Sequence, residues 1–148
     1  MANMAFTVLP RVTEGGLMII VHPNKSPTDL EWDRYFEELV KHDPERLRSL
    51  VFTDGGAPNT PQRKRVNDWL RGRASICAVV TTNTFVRGVV TAFSWFNPKI
   101  NAFAPGATDS AMHYLGIPEE DYVLVRRELQ LLRKQFGTVQ VESLAAAI

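Results

Sequence analysis

The sequence feature that most constrains the fold is a short run, LMIIV at residues 17–21, in which every residue is apolar. A strand made of this run is apolar on both faces, and such strands lie inside sheets that other elements cover on two sides. The preceding segment MAFTVLP also has strand composition, and RVTEGG between the two supplies the Gly-Gly of a hairpin turn. We therefore predict a buried sheet whose first strand forms an antiparallel edge.

Segments with helical periodicity alternate with short β-rich runs along the rest of the chain. SLVFT, SICAVVTT and INAFAP are predicted strands, helices are predicted between them, and two more helices follow the last strand. The order ββαβαβαβαα predicts an α/β fold with a single mainly parallel sheet flanked by helices. One domain covers residues 1–136 in this interpretation, and residues 137–148 are predicted to be a flexible C-terminal tail.

Charge balance and cysteine content argue against several classes of protein. The formal net charge of +1 provides no general attraction to nucleic acid or to acidic membranes. Cys77 is the only cysteine, and its apolar surroundings in the sequence predict a buried, inert thiol. Residues 1–16 lack the pattern of a signal peptide, and no apolar run approaches the roughly 18 residues of a membrane span. We expect a cytoplasmic protein that binds no nucleic acid and does not span a membrane.

Motifs for catalysis and for metal or nucleotide binding are missing from the sequence. His22, His42 and His113 are widely separated, and no C-x-x-C or H-E-x-x-H motif occurs. No glycine-rich nucleotide loop and no G-x-S-x-G nucleophile elbow is present. Asp54 follows a strand, as a catalytic carboxylate can, but no second acid or base is tied to it by spacing. We expect no catalytic residue, no metal and no cofactor, and an enzyme centred on Asp54 ranks last among the hypotheses.

Loops with small polar residues and glycines follow three of the predicted strands. In a parallel sheet these loops gather outside the carboxyl ends of the strands, where ligands and partners bind. Free N–H groups at the helix starts can hold an anion, although turn formation and helix capping by Thr60, Thr82 and Asn83 explain the same residue types. The predicted binding loop consists of Thr53, Asp54, Gly55, Gly56, Thr60, Thr82, Asn83 and Gly106.

The predicted helix over residues 84–96 is apolar around nearly its whole circumference. A helix that lies on a sheet needs only one apolar stripe. The surplus must be covered by the long C-terminal helix, line an apolar ligand pocket, or contact a partner. Because a few aromatic residues contribute most of the energy of many interfaces, Phe93, Trp95 and Phe96 are the predicted interface residues.

The element order, together with LVFTDGGAPNTPQRKRV (residues 50–66) and AVVTTNTFVRGVVTAF (residues 78–93), resembles the STAS domain, the anti-anti-sigma-factor type of regulatory module. The similarity is greatest to STAS-like, SpoIIAA-like bacterial proteins and covers residues 4–136. It implies a non-catalytic signalling domain that binds protein partners, such as a kinase or an anti-sigma-like regulator; the apolar helix also allows a homodimer. The alternative is a small ligand bound by the strand-end loops and the apolar helix. The loops suggest a nucleotide, and a lipid is suggested because a related group shares its architecture with lipid-binding lobes.

The resemblance also concerns a regulatory phosphorylation site. In classical STAS domains the loop after the third strand carries an Asp followed by a Ser that a partner kinase phosphorylates. Asp54 matches the Asp, whereas Gly55 stands where the Ser would be. Thr53 and Thr60 lie close enough to be substitute phosphorylation sites, although threonine is also a good helix cap. A phosphate there would place nearly two negative charges beside a helix start.

Overall fold

A single sheet with strand order β1-β2-β3-β4-β5 organises the protein in a computed structural model that describes residues 2–136. The first pair of strands is antiparallel, and the other three pairs are parallel. The predicted antiparallel edge and mainly parallel sheet are thus confirmed, and the predicted C-terminal tail lies outside the described residues. The strands are Ala5–Leu9 (β1), Leu17–His22 (β2), Arg48–Thr53 (β3), Cys77–Val80 (β4) and Ile100–Phe103 (β5).

Helices connect the parallel strands and complete the order ββαβαβαβαα, which confirms the predicted α/β class. Short 3₁₀ turns precede α4 and α5 and follow α5. Within the described residues, no helix combines the length and the apolar character that crossing a membrane requires. The helices are Asp29–Leu39 (α1), Thr60–Leu70 (α2), Thr84–Ser94 (α3), Thr108–Tyr114 (α4) and Tyr122–Arg133 (α5).

The apolar character of β2 on both faces has a direct structural cause. Its alternate residues enter two different cores: Leu17, Ile19 and Val21 pack on the side of α4 and α5. Met18 and Ile20 pack on the opposite side, under α1. A third core lies between α3 and the last two strands. Helices therefore cover the sheet on both faces, with α1 to α3 on one and α4 and α5 on the other.

The placement of helices on the two faces of the sheet tests one explanation for the surplus apolar surface of α3. The long C-terminal helix was a candidate to cover it, but α5 packs against β1 and β2 on the other face of the sheet. That alternative is therefore wrong. The physical reason is topological, since successive right-handed crossovers between neighbouring strands place α1, α2 and α3 on the same face and leave the other face for the last two helices.

The start of α2 also differs from the prediction, because Asn59 and not Thr60 is its N-cap. The side chain of Asn59 accepts a hydrogen bond from the backbone N–H of Gln62, and the side chain of Gln62 accepts one from the N–H of Asn59, both at 2.9 Å. This reciprocal capping box requires Glu or Gln three residues after the cap. Arg63 occupies that position relative to Thr60, so Thr60 becomes the first helical residue.

Candidate functional site

The loop that follows β3 forms a tight corner, residues 53–56, hereafter the β3 corner. Gly56 donates its backbone N–H to the carbonyl of Pro23 at 2.9 Å, which joins the corner to the loop after β2. A Cβ atom added at Gly56 would lie 2.3 Å from the carbonyl oxygen of Lys25. Only glycine allows the two backbones to approach this closely.

The two candidate phosphorylation sites have opposite environments. Thr53 is buried; its hydroxyl donates to the carbonyl of Gly56 at 2.5 Å and accepts from the N–H of Gly55 at 3.1 Å. A kinase could reach this hydroxyl only after the corner opened. Thr60 is exposed at the start of α2, and its hydroxyl accepts a hydrogen bond from Arg63 at 2.9 Å. Only Thr60 is accessible to a kinase in this conformation.

Asp54 forms an ion pair with Arg133 at the end of α5. The guanidinium Nη2 donates to the carboxylate Oδ2 at 3.0 Å, and the side chains are 4% exposed for Arg133 and 35% exposed for Asp54. Burial lowers the pKa of Arg133, and the neighbouring carboxylate of Asp54 opposes this shift. Arginine remains protonated in such surroundings. The carboxylate of Asp54 therefore links α5 to the β3 corner through this ion pair.

The ends of the next two strands lie at the same edge of the sheet. Asn83 caps α3 by accepting a hydrogen bond from the N–H of Val86 at 3.1 Å. Its side-chain nitrogen would lie 3.2 Å from a Cβ atom added at Gly55, so the start of α3 adjoins the β3 corner. Thr82 is exposed beside this cap, and Gly106 is exposed in the turn after β5. The parallel strands thus place the predicted loop residues at one common edge.

Exposed apolar positions lie on α3 and in the turn directly after it; Phe85, Gly88, Trp95 and Phe96 are hereafter called the α3 face. The exposed fractions are 70% for Phe85, 79% for Trp95 and 57% for Phe96. Phe85 and Gly88 lie on α3, and Trp95 and Phe96 follow in the turn directly after the helix ends at Ser94. Phe93, the other predicted interface residue, is half-buried and packs into the core beneath α3.

The charged residues of the segment that carries the α3 face are all basic. Residues 81–108, which span α3, β5 and the connections at their ends, contain Arg87 and Lys99 but no Asp or Glu. Both basic residues are exposed. The segment that carries the α3 face therefore contributes only positive charge.

A cavity of about 110 Å³ lies between the sheet and helices α1 to α3, and apolar residues of α3 form part of its wall. Most of its wall is apolar, but His22, Trp32, Tyr35 and Cys77 also line it. The sequence marks His22 only as an isolated candidate metal ligand. The period of two along β2 was the available signal, because it places His22 on the same face as the buried Ile20.

The titratable groups in this cavity are held neutral. Burial lowers the pKa of His22 to about 4 and raises the pKa of the Cys77 thiol to about 12. The Cys77 thiol is therefore protonated at neutral pH, and a protonated thiol is a weak nucleophile. Within residues 2–136, no three His, Cys, Asp or Glu side chains come together as a metal site would require.

Comparison with known proteins identifies a fold relative. No protein-family model and no curated protein matches the chain. A crystal structure of an uncharacterised protein of the DUF3478 family from Shewanella loihica PV-4, described as having a SpoIIAA-like fold, is similar with a TM-score of 0.57. The alignment covers 78% of this chain and 95% of that chain at 11% sequence identity, so the likeness concerns the fold alone. The protein has the SpoIIAA-like, STAS-like α/β fold that its element order predicted.

Proposed function

We propose that this protein is a non-catalytic regulatory domain of the STAS-like type, which acts by binding another protein through the α3 face. The observation that carries the proposal is the exposure of three large aromatic side chains, Phe85 at the start of α3 and Trp95 and Phe96 directly after its end. Large contiguous apolar patches are uncommon on monomeric proteins and mark interaction sites. Aromatic residues are enriched at the centres of protein interfaces, where they contribute most of the binding energy.

The charges around the α3 face favour a partner of a particular kind. Two copies of the chain that met through this face about a twofold axis would each present the same residues to the other. Arg87 and Lys99 would then face a surface that carries the same charges, which disfavours the contact. A different protein, with an apolar pocket surrounded by carboxylates, complements the face. A homodimer is the alternative that the experiment below distinguishes.

The β3 corner adjoins the start of α3, and the candidate phosphorylation site Thr60 follows the corner in the sequence. Asn83 caps α3 and adjoins Gly55, so a partner that covers the N-terminal end of α3 also reaches the corner. Thr60 lies exposed at the start of α2, next to Arg63. A phosphate on Thr60 would add nearly two negative charges and would pair with this guanidinium. We propose Thr60 as the phosphorylation site, with a cytoplasmic kinase or anti-sigma-like regulator as the class of partner.

The neutral and paired states of the reactive side chains support a non-catalytic role. Asp54 is engaged by Arg133 at 3.0 Å, and burial raises the pKa of Cys77 to about 12. A general base or nucleophile would instead need a free carboxylate or an activated thiolate. The SpoIIAA-like fold relative agrees with this proposal at the level of the fold.

Affinity measurements on substituted proteins test the proposal. A partner isolated from the native cell and then purified should bind the wild-type protein in a one-to-one titration. Trp95→Ala should weaken this binding about 30-fold, the effect of losing about 2 kcal/mol at an interface anchor, with little change in melting temperature. The matched control is Val123→Ala, because Val123 is as exposed but lies on α5 across the sheet, and it should leave the affinity unchanged.

Two results would contradict the proposal. The first is an unchanged partner affinity in Trp95→Ala together with a large loss of stability, which would make Trp95 a core residue. The second is a wild-type dimer in sedimentation experiments that Trp95→Ala converts to a monomer. That result would replace the heterologous partner with a second copy of the chain.

A further inference from the structure

The cavity between the sheet and helices α1 to α3 contains two buried polar atoms without a hydrogen-bond partner. They are the indole Nε1 of Trp32 and the imidazole Nδ1 of His22, and each of these residues is only 4% exposed. Most buried polar groups in proteins are paired, and an unpaired one costs about 1–3 kcal/mol. Two such atoms in the wall of one cavity require a physical explanation.

The chemistry of the two atoms is complementary. The indole N–H of Trp32 can only donate. Burial keeps the ring of His22 neutral, although the backbone of Asn3 opposes this shift of its pKa. A neutral imidazole has one donor and one acceptor nitrogen, and the unpaired Nδ1 is the acceptor in the tautomer that carries its proton on Nε2. These two atoms therefore offer one donor and one acceptor.

The two side chains belong to the same end of the cavity. His22 is the last residue of β2, and its side chain is on the face that α1 covers. Trp32 lies in the first turn of α1, and its backbone N–H bonds to the carbonyl of Thr28 at 2.9 Å. Since α1 follows β2 after a short loop, this first turn lies beside the carboxyl end of β2.

Two other polar residues of the wall are paired with each other. Ser75 and Asn97 also line the cavity, but the N–H of Ser75 donates to Asn97 at 3.0 Å and Asn97 donates to the carbonyl of Ser75 at 2.6 Å. Aliphatic and aromatic carbon makes up most of the remaining surface. Its contributors include Ile20, Val51, Val79, Val86, Val89 and Phe93.

We propose that this cavity binds a small uncharged hydrophobic molecule that carries one hydroxyl group and is about the size of phenol. The hydroxyl oxygen accepts the hydrogen bond of Trp32 Nε1, and the hydroxyl hydrogen is donated to His22 Nδ1. The volume of about 110 Å³ is of the order of an apolar cavity of about 150 Å³ that takes up benzene. A charged ligand is excluded because the apolar wall offers no compensation for its lost hydration. This site lies beneath α3, and its occupancy does not depend on the proposed function.

Titrations with three matched probes test the proposal on the wild-type protein. Phenol both donates and accepts, anisole only accepts, and toluene does neither, while all three carry the same ring. We expect phenol to bind saturably and to shift the indole N–H resonance of Trp32, with the resonance of exposed Trp95 as the internal control. Toluene should bind at least about tenfold more weakly than phenol, the effect of two unpaired buried groups, and anisole should fall between them.

Substitution of the donor supplies the second measurement. Trp32→Phe keeps an aromatic ring but removes the N–H, so its phenol affinity should fall toward the toluene affinity, which should itself stay unchanged. Trp95→Phe should change neither. The proposal is overturned if phenol does not saturate a site near Trp32, if phenol and toluene bind the wild-type protein equally, or if Trp32→Phe binds phenol as tightly as the wild type. The wild-type probe series decides the matter even if Trp32→Phe does not fold.

Discussion

Arg133 donates a hydrogen bond to Asp54 at 3.0 Å, across 79 positions of the sequence. The contact connects the last turn of α5, which packs on one face of the sheet, with the β3 corner at the sheet edge. The guanidinium is nearly completely buried, whereas the carboxylate is about one-third exposed. The position of α5 and the conformation of the β3 corner therefore depend on each other through one ion pair.

Asp54→Asn should lower the free energy of unfolding by about 2 kcal/mol, because it leaves a buried guanidinium without its counter-charge. The partial exposure of Asp54 keeps this loss below that of a fully buried pair. Urea denaturation at neutral pH measures the effect. Arg133→Met in the Asp54→Asn protein should recover most of the loss, because it removes the unpaired charge and retains apolar volume.

An exposed ion pair provides the matched control for this experiment. Asp33 accepts a hydrogen bond from Arg65 at 2.6 Å, and both side chains are about half exposed. Asp33→Asn should therefore cost no more than about 0.5 kcal/mol. Equal losses for Asp33→Asn and Asp54→Asn would show that the buried pair contributes no more to the free energy of unfolding than the exposed pair does.

Two glycine substitutions should have effects of opposite sign. Gly56→Ala should lower stability by about 3 kcal/mol, because the new Cβ would overlap the carbonyl of Lys25 and force the corner apart. Gly88→Ala should raise stability by about 0.5–1 kcal/mol, since Gly88 lies inside α3 and an added Cβ meets nothing within 4 Å. Calorimetric melting curves measure both. A stability loss in Gly88→Ala would indicate that the α3 face is packed and not free.

The capping box of α2 predicts different effects at neighbouring positions. Asn59→Ala should destabilise the protein by about 1 kcal/mol, because it removes the acceptor for the N–H of Gln62. Thr60→Ala should change stability by less than about 0.5 kcal/mol, because it affects an exposed first-turn residue. Guanidinium denaturation measures both values. A larger loss at Thr60 than at Asn59 would contradict the capping assignment.

The alternation of strand and helix patterns predicted the fold because each element has its own period. The apolar run at residues 17–21 predicted a strand with two buried faces, and parallel pairing then placed the loops at one edge. Asn59 was within reach of the same reasoning, since Gln62 stands three positions later. The partial burial of Phe93 was also predictable. Its position in the helix matches that of the buried Val86 and Val89 and not that of the exposed Trp95.

Contacts between residues far apart in the sequence could not be predicted from the sequence pattern. The pairing of Asp54 with Arg133 joins residues whose separation follows no period, so it emerges only when the helices are packed. The cavity arises in the same way, because its volume is the space that α1, α2 and α3 leave unfilled above the sheet. His22 and Trp32 are unremarkable in the sequence, and only their common burial without partners makes them candidates for a site.

The buried ring of His22 predicts that acid destabilises the protein in a specific pH range. The pKa of His22 falls from 6.5 in the unfolded chain to about 4 in the folded protein, mainly because of burial, with the backbone of Asn3 and the charge of Glu31 opposing. Between these values the unfolded state binds a proton that the folded state does not, so stability increases with pH across this range. Acidification from pH 7 to pH 4 should therefore remove about 3 kcal/mol.

The free energy of unfolding, measured at intervals between pH 5 and pH 7, checks this prediction. His22→Leu should flatten the pH dependence in this range, whereas His113→Gln, at an exposed position on α4, should leave it unchanged. Glu31 acts at lower pH: burial raises its pKa, but hydrogen bonds with Thr28 and Asn3 outweigh burial and lower it overall. Its stabilising effect is present above its usual pKa of 4.5 and is lost as the pH falls further. A wild-type protein whose stability is constant from pH 7 to pH 5 would show that His22 is hydrated and not buried.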